Sequence, residues 1–189
     1  MSEKSKKIFK ILLVFLLLLM HFFLAFTSIL QKSPTFDETV HLSAGYSFWK
    51  LNDYRMNPEN GNFPQRWAAI PLLFDSKIKF PQFNPNPNLE SNQWLTSYNF
   101  LYSSGNNPDI MFIKGRVMMI FLGVFLGLAV FFISKSIFGY LGGIVSLFLY
   151  AFNPTILANG ALVTSDISAT LGFILSGWML KRMFNRISF

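Results

Sequence analysis

No cysteine occurs among the 189 residues, so disulfide staples and thiolate-bound metals are both excluded, and the redox compartment is unreadable from this count. Acidic groups are scarce too. Nine Asp and Glu stand against 16 Lys and Arg, with two His, which leaves few side chains able to hold a cation or move a proton. A Walker-type glycine loop, a His-x-x-x-His metal spacing and an internal repeat are all missing from the sequence. Charged residues make up only 13%, whereas 52% of the chain is hydrophobic and 17% aromatic. The apolar residues come in unbroken blocks rather than at helix or strand periodicity, and that is the pattern of lipid-facing segments. The expected class is an all-α membrane protein.

Four blocks read as transmembrane helices, at about 8–30, 117–134, 139–158 and 167–180, the last two marginal in length. The first is interrupted only by Lys10 and His21 and is long enough for roughly 30 Å of hydrocarbon at about 1.5 Å per residue. A signal peptide would share its basic front but would carry an apolar core of only about 7–15 residues and a small-x-small cleavage site. The short-loop cations Lys4, Lys6, Lys7, Lys10, Lys135, Lys181, Arg182 and Arg186 fall on one side if all four blocks span. The positive-inside rule makes that side cytoplasmic, with a large loop at 31–116 and a short turn at 159–166 outside. The expectation is a single multi-pass domain over 1–189 in the cell or inner membrane. The net charge of +7 then reports topology and affinity for membrane lipids rather than for nucleic acid.

Within the external loop, Val40, Ala44, Phe48, Trp49 and Leu51 pattern as a short amphipathic helix over 35–52, suited to the membrane interface. Thr35-Phe36-Asp37-Glu38 fits a capping box at its start. From Asn57 to Asn107 the density of Asn, Pro, Ser and Gly predicts irregular chain, with one or two helical turns at Trp67–Phe74. Pro81 to Asn88 can hold neither a helix nor a central strand.

Topology singles out Asp37 and Glu38, just beyond the outer end of the first span, and Asp166, at the outer start of the fourth. An acid at the centre of a span costs about 2.5–3.5 kcal/mol, so an acid at its edge still asks for a partner. A carboxylate at such a water-poor boundary can act as a general base, or join a second acid around a cation. Helix packing is expected to bring Asp37 and Asp166 together. Structural roles stand beside these: Glu38 as the return arm of the capping box, and Asp166 or its neighbours as an N-cap. His21 reads as a helix–helix hydrogen-bonding group, His41 as a solvated surface residue, and the many Phe as lipid-facing. Arg55, Arg66, Lys114 and Arg116 suit a lipid phosphate or simply a solvated face.

Phe36-Asp37-Glu38, His41-Leu42-Ser43-Ala44-Gly45-Tyr46 and Asp53-Tyr54-Arg55-Met56-Asn57-Pro58-Glu59 together resemble the first external loop of the GT-C superfamily of lipid-linked-sugar glycosyltransferases. These include the glycosyltransferase family 39 type, the protein O-mannosyltransferases and the aminoarabinose transferase of lipid A. Gly115-Arg116 is similar to the arginine that opens the family's second span, and the segment from Asn153-Pro154 to Ser165-Asp166 to its third-to-fourth-helix turn. The order and common external side of these motifs are what make the resemblance specific. It departs at Asn60-Gly61-Asn62-Phe63-Pro64, where the family continues His-Pro-Pro, and at Asn159, which stands in place of a histidine.

The resemblance implies inverting transfer of a sugar from a polyprenyl-phosphate donor to an acceptor hydroxyl, on a protein or a lipid glycan, at the outer face. Asp37 would be the general base. Glu38 and Asp166 would complete the catalytic group by holding the acceptor or a divalent cation, Arg116, Lys114, Glu59 and Arg55 would bind substrate, and Asp37 with Asp166 would hold the cation if one is used. Members carry many more than four spans, so the chain would correspond to their N-terminal portion and be inactive alone. The rival expectation is a non-catalytic membrane scaffold or assembly partner whose outer loop binds another protein.

Overall fold

A computed structural model describes residues 2–81 and 91–185, and every regular element among them is helical. In order these are α1 (Glu3–Ile29), α2 (Phe36–Lys50), α3 (Asn62–Ala69) continued by a 3-10 turn (Ile70–Phe74), α4 (Ser91–Tyr98) continued by a π turn (Asn99–Ser103), α5 (Pro108–Ala151), α6 (Pro154–Asn159) and α7 (Asp166–Phe184). The chain forms two compact units. One comprises residues 1–28, 120–160 and 166–189; the other comprises 29–119 and 161–165.

In the first unit, α1 and α5 are the helices among the described residues that are long and apolar enough to cross a membrane. Large apolar side chains stand outward along both, Phe15 and Phe132 among them. Such exposure is unfavourable in water over so long a surface and natural in lipid. α5 is two helices rather than one, because Gly139 takes φ 75°, ψ −176°, a conformation open essentially only to glycine. The chain doubles back there. Tyr150 on the second limb donates its hydroxyl to the carbonyl of Gly123 on the first, at 2.6 Å. His21 of α1 packs on Tyr150, ring centroids 5.0 Å apart, and its Nδ1 lies 3.2 Å from the Ala151 carbonyl. This is the helix–helix role expected for His21.

The helices differ in extent from the expected blocks for local reasons. The second helical segment starts at Pro108 rather than 117, since the turns that carry Asp109, Lys114 and Arg116 are helical as well. The third stops at Ala151 rather than 158, because the residue before a proline is driven out of the α region. Asn153 instead caps a new helix, its side-chain oxygen accepting the Ile156 amide at 3.1 Å. The fourth block corresponds to α7, Asp166–Phe184.

The second unit is built around α2, against which α3 and α4 pack. The expected amphipathic helix is not what forms. Val40 to Phe48 are buried without a break, so α2 is a central helix rather than one lying at an interface. Its polar members permit this by satisfying themselves locally: Ser43 donates to the Thr39 carbonyl at 2.7 Å and Ser47 to that of Asp53 at 3.3 Å. At Gly45 the helices touch, and a Cβ there would lie 2.0 Å from the Gln65 carbonyl oxygen. Asn52, in the left-handed region at φ 52°, follows the end of α2. The stretch expected to be irregular holds α3, whose Pro64 sits in the first turn, where its missing N–H is no loss. Of the Pro81 to Asn88 connection, all but Pro81 lies outside the described residues.

Candidate functional site

The N-terminus of α2 is fixed by one carboxylate. Glu38 is fully buried, and its Oε2 accepts the Thr35 amide at 2.9 Å and the Thr35 hydroxyl at 3.1 Å, which is the return arm of the expected capping box. The same carboxylate makes a bidentate pair with Arg116. Arg116 Nε donates to Oε1 at 2.8 Å and Nη2 to Oε2 at 2.6 Å. A fifth donor is the backbone N–H of Val163, 3.0 Å from Oε1.

The guanidinium, 1% exposed, is equally committed. Beyond its two bonds to Glu38 it donates to the carbonyls of Lys32 (2.8 Å), Ser33 (3.0 Å) and Ile29 (3.4 Å). Five N–H groups thus meet five acceptors, the full capacity of an arginine. Burial alone would drive the Glu38 carboxyl upward; Arg116 together with the Thr35 and Val163 amides outweighs it and holds the group below the ordinary carboxylate range. His41 completes the clamp. It is buried rather than solvated, with Nδ1 3.0 Å from the Val163 carbonyl. Val163 is therefore gripped through both its backbone groups by α2.

This arrangement distinguishes two adjacent acids. Glu38 is ionised and occupied on both oxygens, which suits a structural anchor and leaves no room for proton transfer or a cation. Asp37, one residue earlier in the first turn of α2, is exposed and makes no hydrogen bond or ion pair with the described residues. Arg116, expected to meet a phosphate, is instead the counter-ion of the anchor. Lys114 pairs with Asp75 at 3.1 Å, both partners about one-third exposed, and the lysine holds the Asp75 carboxyl below its usual range. Arg55 forms a bidentate pair with Asp53, at 2.9 and 2.6 Å. Glu59 accepts from Asn57 Nδ2 and Gln93 Nε2, each at 3.1 Å.

Asp166 opens α7 in the first unit, its side chain exposed and its carbonyl accepting the Thr170 hydroxyl at 2.8 Å. Asp37 belongs to the second unit. Among the described residues no group of three or more His, Asp or Glu side chains gathers.

Sequence reasoning missed the Glu38–Arg116 pair, whose members are 78 residues apart, and the Asn57–Gln65 contact at 2.6 Å that secures the segment after α2. The retrievable signal was scarcity: an arginine inside an apolar stretch needs an acid, and few acids exist. Comparison with family models, with curated proteins and with solved structures finds no match for the chain.

Proposed function

We propose that the chain is the N-terminal part of a multi-pass membrane glycosyltransferase of the GT-C type, with Asp37 as general base. In this reading the N-terminus and the turn at Gly139 face the cytoplasm, four helical segments span the membrane, and the unit built on α2 faces outward. The donor is a polyprenyl-phosphate-linked sugar. Asp37 removes the acceptor hydroxyl's proton as that oxygen attacks the anomeric carbon; the bond to phosphate breaks, the phosphate keeps the electron pair, and the configuration inverts. Glu38 and Arg116 act by position, holding the helix turn that carries the base.

The observation that carries the reading is the division of labour in Phe36-Asp37-Glu38: the second acid is locked into a buried clamp, and the first stands exposed, with no bond to the described residues, on the turn so fixed. A second observation supports the topology. The compact unit of residues 29–119 with 161–165 nearly coincides with the two segments, 31–116 and 159–166, that the distribution of cations assigns to the outer face.

The test is Asp37→Asn in membranes that express the full reading frame containing this chain, assayed with polyprenyl-phosphate-linked mannose and aminoarabinose in turn. Loss of a general base lowers transfer by about 10²–10⁴-fold. Undiminished transfer by the variant rejects the base role and leaves a non-catalytic scaffold as the better description.

A further inference from the structure

In the first unit, α1 and the part of α5 before Gly139 (residues 120–138) run side by side and leave between them an apolar groove of about 750 Å³. Its lining on α1 extends from Lys7 to Phe22, a helical length of about 22 Å at 1.5 Å per residue. The two helices are antiparallel, so that Phe22 meets Phe121 at one end, ring centroids 5.5 Å apart. Lys7, Lys10 and Lys135 gather at the other. That basic end is built rather than incidental. Tyr140 donates its hydroxyl to the Lys10 carbonyl at 3.1 Å, and the Lys10 ammonium sits 4.9 Å from the Tyr140 ring centroid.

No acidic side chain lines the groove, and none of its three lysines has a carboxylate partner among the described residues. A long apolar slot with an uncompensated triple positive charge at one end matches the shape and charge of one kind of molecule, an amphiphile with an anionic head. A peptide helix fits less well. Closing the groove with a second copy, or with the basic end of α7 (Lys181, Arg182), would add cations to an end already positive.

We infer that this groove binds an anionic phospholipid, an acyl chain lying along Val14, Leu18 and Phe121 and the phosphate held by Lys7, Lys10 and Lys135. The site is separate from Asp37 and needs no transferase activity; it rests only on α1 and α5 lying in a bilayer. The headgroup end is the one that carries the N-terminal cations, hence a lipid of the cytoplasmic leaflet under the positive-inside rule.

The full chain is reconstituted in phosphatidylcholine vesicles doped with phosphatidylglycerol, and lipids retained after gentle detergent extraction are counted by native mass spectrometry. Recovery in the vesicle fraction separately reports insertion. The wild type is expected to keep one phosphatidylglycerol per monomer in preference to phosphatidylcholine. Each lysine exchanged for glutamine lowers that preference about fivefold, and Lys7→Gln, Lys10→Gln and Lys135→Gln together lower it on the order of a hundredfold. Val14→Trp, which fills the slot, removes the bound lipid with the lysines intact, and an unchanged melting temperature certifies folding of each variant. If the triple variant does not fold, the single variants and the fall of wild-type retention with added salt carry the test. Equal retention of both lipids, retention indifferent to the lysines or to salt, or a lipid-free dimer covering the groove overturns the inference.

Discussion

Arg116→Met is the most informative single change in the second unit. The methionine keeps the apolar stem but withdraws all five guanidinium donors from Glu38 and from the Ile29, Lys32 and Ser33 carbonyls. Glu38 retains the Thr35 and Val163 donors but is left as a buried charge without its counter-ion. Breaking such a pair from one side costs about 3–5 kcal/mol. The pH dependence discriminates further. In the wild type the folded carboxyl lies below its ordinary value, so its contribution is complete above the unfolded pKa of about 4.3 and is lost only as pH falls through the lower folded value. In the variant, burial dominates and the folded pKa rises above the unfolded one. Its penalty is then full near neutrality and vanishes on acidification, as the carboxyl takes up a proton. Equilibrium unfolding in micelles, followed by tryptophan fluorescence between about pH 7 and pH 4, should therefore show a gap that narrows with acid. Glu38→Gln combined with Arg116→Met should recover much of the loss, because no charge then remains buried. A loss under about 1 kcal/mol, or one that ignores pH, would refute the argument that this pair holds the unit together.

Two further outcomes follow from the same geometry. Gly45→Ala places a methyl 2.0 Å from the Gln65 carbonyl oxygen; since backbone must move, destabilisation of about 3 kcal/mol is expected in the same assay, at the upper end for overpacking. Asp37→Asn, by contrast, should leave the unfolding curve of the wild type unchanged, because Asp37 bonds to none of the described residues; a shifted curve would give it a structural role.

The local features of the chain were legible, the distant ones much less so. The capping box could be read because both of its members lie within four residues, and the first apolar block because lipid-facing composition needs no tertiary context. The break near Gly139 was visible as a polar interruption, Lys135 and Ser136, although the sharpness of the reversal depends on one glycine's φ. α2 was misjudged because its serines and Gly45 score as polar, yet small groups that bond to their own backbone can be buried on every side. His41 reads as solvated for a different reason: its partner is a backbone carbonyl 122 residues away. Charges are harder still, because sequence places them without revealing which of them neutralise one another. Arg116 with Glu38, Lys114 with Asp75 and Arg55 with Asp53 became visible as pairs only in three dimensions.

The absence of native cysteine makes a direct test of the membrane arrangement clean. Single replacements Ser5→Cys, Asp53→Cys, Ser136→Cys and Asn159→Cys, expressed in intact cells, are exposed to a membrane-impermeant maleimide before and after permeabilisation. Labelling of positions 53 and 159 in intact cells, with positions 5 and 136 reactive only once the membrane is opened, is the predicted result. Positions 53 and 136 reacting from the same side would contradict it, and with it the placement of Asp37 at the outer face.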